Sequence, residues 1–452
     1  MEDHLVLDIW LDGRSRPVAK LVRDRKQELH LHYDDRYLVE PGAYPLSLSL
    51  PLTDKRFGDV ACRPFFDNLL QERSEALATV MAREGLSRGD VAGLLYHLGK
   101  DCAGAISVLP EGAPPVKSPG DLLSDYIPLS DGEISTIISS LRERHRLPDA
   151  AGDPSPLAGI QSKVALTLLP DDRLALPKPG SGAPTTHILK VPERQRPRDT
   201  HLEWAALLLS RDAGFKTARA EYFSGRGGDV LLIERFDRTH DAAGRIVRVH
   251  QEDFAQALGL PAELKYERRG KKGRRFDTQA IRTVLDRTAN PGENRATFIR
   301  QTMFDLLIGN VDAHAKNHAL LYDHGPKPSL APRYDLLPTR LDPRLTDELA
   351  FRIGSASTID TIAASDFDAF TTTFGISTKA ARRRLRDNDI ADLADRLADL
   401  LATLTRAGLK DFADLIAANM RILLPIIGLP VPSEASSRDA FIGRGGGWLQ
   451  NS

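Results

Sequence analysis

Apolar residues recur at period two at the start of the chain. Leu5, Val6, Leu7, Ile9 and Trp10 lead into an Asp12-Gly13 turn, and Leu29, Leu31 and Tyr33 follow in the same rhythm. That pattern predicts a short antiparallel meander. Leu46, Leu48, Leu50 and Leu52 alternate with serine and proline, which predicts a half-buried strand over 45–52. The period then lengthens. Phe65, Phe66, Leu69, Leu70, Leu77 and Val80 predict a helix over 64–83, with a second over 89–98 and a strand over 104–109. Residues 1–110 therefore read as one small α+β unit. A Pro- and Gly-rich linker occupies 111–119, and a short helix begins in 134–141. Strands are expected over 164–169, 185–191 and 230–234, with a helix over 202–213 between the last two. Beyond 250 the periodicity is mostly helical: 281–287, 293–308, 364–374, 378–386, 391–406 and 409–424. A strand-rich first half, a helix-rich second half and a ligand site at the seam is the architecture this implies. It divides the chain at 1–110, 111–236 and 237–428, with a loose tail over 429–452.

Composition narrows the class without naming a function. The chain has 452 residues, 41% hydrophobic and 27% charged, with a net charge of −1. Any affinity for nucleic acid or membrane must come from local patches. Two cysteines, Cys62 and Cys102, supply neither a disulfide framework nor a Cys-x-x-Cys metal spacing. The expected setting is a reducing cytoplasm, with no leader peptide and no membrane span.

The chemistry concentrates after the 293–308 helix, in Gly309-Asn310-Val311-Asp312-Ala313-His314-Ala315-Lys316-Asn317. An Asp, an Asn five positions later and a further Asp, Asp335 in Arg333-Tyr334-Asp335, are the parts of a phosphoryl-transfer site. Asp312 would receive or orient the acceptor hydroxyl. Asn317 and Asp335 would ligate Mg²⁺, which suits oxygen donors. His314 would orient the loop or touch phosphate, and Lys316 is either a phosphate contact or a surface residue. The alternative is a turn network without chemistry; ligand spacing argues against zinc.

Upstream pieces are individually weak. The stretch Ala158-Gly159-Ile160-Gln161-Ser162-Lys163 feeds a strand, as a phosphate-covering loop would, but so does an ordinary turn. Lys190 ends a strand and could meet phosphates or solvent. Glu203 could pair with Lys190, although a solvated acid at a helix start is the simpler expectation. The backbone of Glu234-Arg235-Phe236 could hold an adenine, or merely end a core strand. Two basic stretches remain. The 268–275 loop reads first as solvated. The 379–386 helix, with Lys379, Arg382 and Arg383, could lie along DNA phosphates or face water.

Taken together and in order, these segments resemble the HipA-type serine/threonine kinases, toxins of bacterial HipBA toxin–antitoxin pairs. The resemblance rests on Pro45-Leu46-Ser47-Leu48-Ser49-Leu50-Pro51-Leu52, Phe65-Phe66-Asp67-Asn68-Leu69-Leu70, the 158–163 loop, Thr185-Thr186-His187-Ile188-Leu189-Lys190, Glu234-Arg235-Phe236-Asp237-Arg238, Gln251-Glu252-Asp253, the Asp312–Asn317 motif and Tyr334-Asp335. It covers about residues 5–425 and matches the long form, with the N-terminal subdomain in the same chain. It implies an α+β, two-lobed protein-kinase-like fold with a mostly helical C-lobe. It also implies ATP held by residues 158–163, Lys190, the 234–236 hinge, Gln251, His314, Lys316, Asn317, Tyr334 and Asp335, with Mg²⁺ on Asn317 and Asp335. The implied partners are a small HipB-like helix-turn-helix antitoxin, operator DNA through that complex, and a protein substrate such as an aminoacyl-tRNA synthetase, with no membrane. The family often carries an autophosphorylated serine directly before the phosphate loop. Here that position is Pro156, leaving Ser155 and Ser162 as candidates, and the activation segment over 192–201 is short. Two other readings stay open: an antitoxin-bound, DNA-binding co-repressor, and a small-molecule or lipid kinase suggested by Asp-x-His-x-x-Asn.

Overall fold

The computed structural model describes residues 4–70, 75–144, 163–224, 229–323 and 325–432. The first strands form as their alternation predicts. β1 (Leu5–Leu11), β2 (Ala19–Arg23) and β3 (Leu29–Tyr33) make the meander, and β4 (Ile106–Pro110) returns beside β1. The sheet order is β3-β2-β1-β4, antiparallel throughout. One face is closed by helices that bury Phe65, Phe66, Leu94 and Leu95.

Two expectations fail here. Residues 45–52 are no strand: Ser47 and Leu50 form an isolated bridge within a tight turn. Leu46, Leu48 and Leu50 are buried as the pattern requires. The alternate serines, however, face the second half of the chain, where Ser47 Oγ donates to Glu252 and Ser49 Oγ to the Gln256 carbonyl at 2.7 Å. Flanking prolines deny this stretch a ladder, so its alternation serves an interface instead. The single helix expected over 64–83 is two helices, Asp59–Asp67 and Glu75–Glu84.

A six-stranded antiparallel sheet follows. It comprises β5 (Tyr126–Pro128), β6 (Lys163–Leu168), β7 (Leu174–Pro177), β8 (His187–Lys190), β9 (Ala220–Phe223) and β10 (Val230–Glu234), in the order β5-β7-β6-β8-β10-β9. Helix Asp131–Arg144 packs Ile134, Ile137, Ile138 and Leu141 against it. Helix Asp199–Asp212 leaves this sheet for the helical half, burying Ala205, Ala206 and Leu209 in the large apolar core with Phe298, Phe304 and Phe412. In that half the periodic segments form helices Thr278–Leu285, Pro291–Ile308, Ala364–Thr373, Ala391–Arg406 and Lys410–Ile426. The basic stretch is helical only over Lys379–Arg384. It continues as a wider π-helical turn, Leu385–Ile390.

A buried charge network ties the N-terminal sheet to the chain that follows β10. Arg248 pairs with Asp12 at 2.5 Å and Asp101 at 3.0 Å, and donates to Ser107 Oγ and the Ile106 carbonyl. Arg235 holds Asp237 in a two-pronged bond, 3.0 Å on each arm, and Asp237 also accepts from the Gly104 N–H at 3.1 Å. A Cβ at Gly104 would lie 2.6 Å from the Gln251 nitrogen, so only glycine admits this approach. No helix among the described residues is long and apolar enough to cross a membrane.

Candidate active site

The Asp312–Asn317 stretch owes its position to how the preceding helix stops. Helix Pro291–Ile308 ends on Gly309 in the left-handed region, φ 74°, and Asn310 N–H bonds back to the Asp305 carbonyl at 2.8 Å. A buried ion pair, Arg333 to Asp305 at 2.6 Å, anchors the turn, and Asn310 Nδ2 donates to the same carboxylate at 2.9 Å. The loop then folds on itself. His314 N–H donates to the Asp312 carbonyl at 2.7 Å, and Asn317 Nδ2 donates to that same carbonyl at 2.9 Å. Asp312 and Asn317 are thereby fixed as neighbours.

Across a cavity of about 450 Å³ stands the end of β8. Lys190 is 6% exposed and Glu203 2%, and Lys190 Nζ lies 2.7 Å from Glu203 Oε1 and 2.8 Å from Asp335 Oδ1. The simpler expectation of a solvated Glu203 is therefore wrong. Helix Asp199–Asp212 carries it inward, where burial raises its pKa against the pull of Lys190. Asp335 is partly open, and the protein packed around its carboxyl opposes ionisation, but the Lys190 ammonium overrides this and holds that carboxyl well below its usual range. Asp335 sits at φ 56°, a conformation that costs a non-glycine residue free energy and concentrates at functional sites. Lys163 lies opposite Lys190 on β6. Burial, then the Lys190 charge, push its pKa down to about 8.

The acceptor side is more apolar. Burial raises the Asp312 pKa, while a hydrogen bond from Tyr266, 2.7 Å to Oδ1, works the other way. His314 is buried edge-on to the Tyr266 ring, and burial pushes its pKa down to about 3. Its Nδ1 is enclosed yet has no partner among the described residues. Lys316 is no surface residue. It is 9% exposed and donates to Asn68 Oδ1 of the N-terminal subdomain at 2.9 Å. Tyr334 donates to the Lys316 carbonyl at 2.8 Å and packs at a tilt against the Phe236 ring.

The hinge is less open than its sequence suggests. Glu234 N–H is bonded to the Arg219 carbonyl and Arg235 N–H to the Thr186 carbonyl, at 2.8 and 2.9 Å. Of the 234–236 donors, Phe236 N–H alone has no partner among the described residues. The Arg235 side chain turns away into the Asp237 pair, and Gln251 donates to Asp237 at 3.2 Å. Ala158, Gly159, Ile160, Gln161 and Ser162, with Ser155, lie outside the described residues. The basic helix is far from unclaimed: Arg382 pairs with Asp368 at 3.3 Å and Arg383 with Asp387 at 3.2 Å, while Lys379 stays exposed.

Three residues at the site were not singled out from the sequence. Asn68 lies in the quoted Phe65–Leu70 motif, but its bond to Lys316 cannot be read there, and Tyr266 comes from a remote segment with nothing local to mark it. Glu252 sits inside a recognised motif, but its role as acceptor for Ser47, Leu48 N–H and Tyr322 depends on the docked subdomain.

Comparison with known proteins identifies the family and the fold. Residues 7–109 match the HipA N-terminal domain and residues 155–402 the HipA-like C-terminal domain. Protein Y4mE of Sinorhizobium fredii is 38% identical over 419 residues, covering 92% of this chain and 95% of its own. The serine/threonine-protein kinase toxin HipA of Shewanella oneidensis is 27% identical over 389 residues, 82% of this chain and 83% of that one. Among solved structures, HipA in a Shewanella oneidensis complex with HipB and operator DNA superposes with a TM-score of 0.71 at 24% identity, over 93% of this chain and 96% of that chain. The α+β, kinase-like fold is shared, and the chain belongs to the HipA family.

Proposed function

We propose that this chain is an ATP- and Mg²⁺-dependent serine/threonine-protein kinase, acting as the toxin of a toxin–antitoxin pair. The observation that carries the reading is the buried Lys190–Glu203 pair in reach of Asp335, across one cavity from Asp312 and Asn317. Burying a lysine costs desolvation that its acidic partners only partly offset, so stability alone explains this pair weakly. Here the ammonium stands where nucleotide phosphates would be held.

The donor set suits magnesium. The Asn317 amide oxygen and the Asp335 carboxylate are hard ligands, and the strained Asp335 backbone is consistent with a position kept for metal. When bound, the ion screens the phosphates. Asp312 orients the substrate hydroxyl and takes its proton, the serine oxygen bonds to the γ-phosphorus, and the bond to the β-phosphate oxygen breaks. His314 lines the same cavity and steadies the loop there; its orphaned Nδ1 is enclosed, so a phosphate oxygen reaches that nitrogen only if the ring turns. Phe236 N–H is the hinge donor left for adenine.

Radiolabel transfer from ATP to protein, wild type against Asp312→Asn, tests the reading. Transfer is expected only with the aspartate, and equal labelling would sink the assignment. A translation component such as an aminoacyl-tRNA synthetase is the target class to screen. The Shewanella protein's complex with HipB and operator DNA supports a HipB-like antitoxin as partner, with operator DNA bound through it. The co-repressor reading draws on the same likeness. The ion pairs of Arg382 and Arg383 leave Lys379 as its better-placed cation, and a mobility-shift assay with and without antitoxin decides it. Ser155 and Ser162 remain the candidates for self-phosphorylation.

A further inference from the structure

Residues 265–275 hold seven basic residues against one acid, in a chain whose net charge is −1. Arg268, Arg269, Lys271, Lys272 and Arg274 are exposed. The segment is nevertheless built. Lys271 and Arg274 bond to each other's backbone at 2.9 and 3.2 Å, with Gly273 between them at φ 81°. At Gly270 a Cβ would lie 2.2 Å from Arg275 Cβ, so glycine lets the two ends of the turn close.

This turn is rooted in the acceptor side of the site. The guanidinium carbon of Arg268 lies 4.1 Å and that of Arg269 5.2 Å from the centre of the Tyr266 ring, whose hydroxyl bonds Asp312. The Lys265 carbonyl accepts the Ala315 N–H at 3.1 Å, joining the turn to the Asp312 loop by backbone. Lys265, Tyr266 and Arg268 line the same cavity as Asp312. Nearby acids only partly offset the charge. Glu348 lies 3.5 Å from Arg268, and Glu267 and Asp277 serve Arg275. Arg269, Lys271, Lys272 and Arg274 have no ion pair among the described residues.

Resting on the kinase reading above, we propose that this turn docks acidic side chains flanking the acceptor hydroxyl of a protein substrate. Carboxylates suit the surface better than RNA does. Recognition of single strands leans on open aromatic faces. The turn's one aromatic ring, Tyr266, is covered by Arg268 and has its hydroxyl engaged.

The experiment uses the full chain with Mg-ATP and three peptides that each carry one serine, flanked by glutamates, by lysines or by neutral residues. The acid-flanked peptide is expected to show kcat/KM about tenfold above the neutral one, mostly through KM, with the advantage shrinking as salt rises. In Lys271→Glu/Lys272→Glu/Arg274→Glu protein the advantage should vanish. A melting curve checks that this variant is folded, and the salt titration on wild type reads the same electrostatics without any substitution. Equal use of neutral or lysine-flanked peptides would overturn the inference, as would a preference that survives the triple change. Stronger inhibition by polyuridylate than by polyglutamate would assign the surface to nucleic acid and overturn it too. If no peptide is labelled and the protein does not label itself, the kinase reading fails and takes this inference with it; the other adverse outcomes leave that reading standing.

Discussion

Two buried charge clusters lie close together in this molecule, and they are built on opposite terms. At the seam between the N-terminal sheet and the chain after β10, Arg248, Arg235 and Arg238 meet Asp12, Asp101 and Asp237 in closed pairs. Their partners are internal, apart from Nη2 of Arg238, which is buried without one. At the candidate active site, Lys190 is equally buried, but its second partner is not. The Asp335 side chain is 43% exposed, on a strained backbone, beside an imidazole with an unused nitrogen. The first cluster spends its charges on holding two parts of the chain together. The second keeps charge facing a cavity. A buried ion pair alone therefore says little about function; an ion pair with one member turned toward open space says more.

The largest expected effect separates the two clusters by activity. Asp312→Asn should lower kcat by roughly 10²–10⁴-fold, the range for losing a general base, with little change in melting temperature. A comparable loss of stability would put Asp312 with the structural cluster. Arg248→Ala should do the reverse. Leaving Asp12 and Asp101 unpaired should cost about 3–5 kcal/mol in denaturant unfolding, and a loss near zero would show that the seam is not the fastening it looks like. A smaller effect joins the two regions. Asn68→Ala removes the bond from Lys316 together with two that Asn68 Nδ2 donates to the Pro64 and Leu260 carbonyls, and should cost about 1–3 kcal/mol. If the docked subdomain shapes the catalytic loop, part of that loss appears in kcat; if it appears wholly in stability, the subdomain is only a brace.

The smallest effect concerns pH. Burial pushes the Glu252 pKa from its ordinary 4.5 up to about 7, against the bonds from Ser47 and Tyr322. Its protonated form is thus favoured by the fold. That contribution is fully present below about pH 4.5 and is lost as the pH rises through about 7. Melting temperature should fall across that window in wild type and fall less in Glu252→Gln. An identical slope in both would place the titration elsewhere.

Much of this was legible in advance, and the failures share a cause. Period-two and helical spacing located most strands and the long C-terminal helices, because each buries a face that its own local sequence announces. The Asp312, Asn317 and Asp335 set was visible because a motif carries it. Residues 45–52 misled because their alternation answers Glu252 and Gln256, some two hundred residues away. Glu203 misled because an acid on a first helical turn satisfies a local rule, while its true partner lies on a strand. Asn68 and Tyr266 could not be found by spacing at all, since their importance exists only after distant segments meet.

The Asn68–Lys316 bond joins positions 248 residues apart. Its consequence belongs to the order of synthesis. A ribosome finishes the N-terminal sheet long before it reaches the loop that this subdomain helps to hold, and contacts of such separation close late and slowly. A nascent chain holds Asn68 ready but has no Lys316 to receive. If the finished enzyme is harmful to its own cell, the fold itself postpones the harm until the chain is nearly complete.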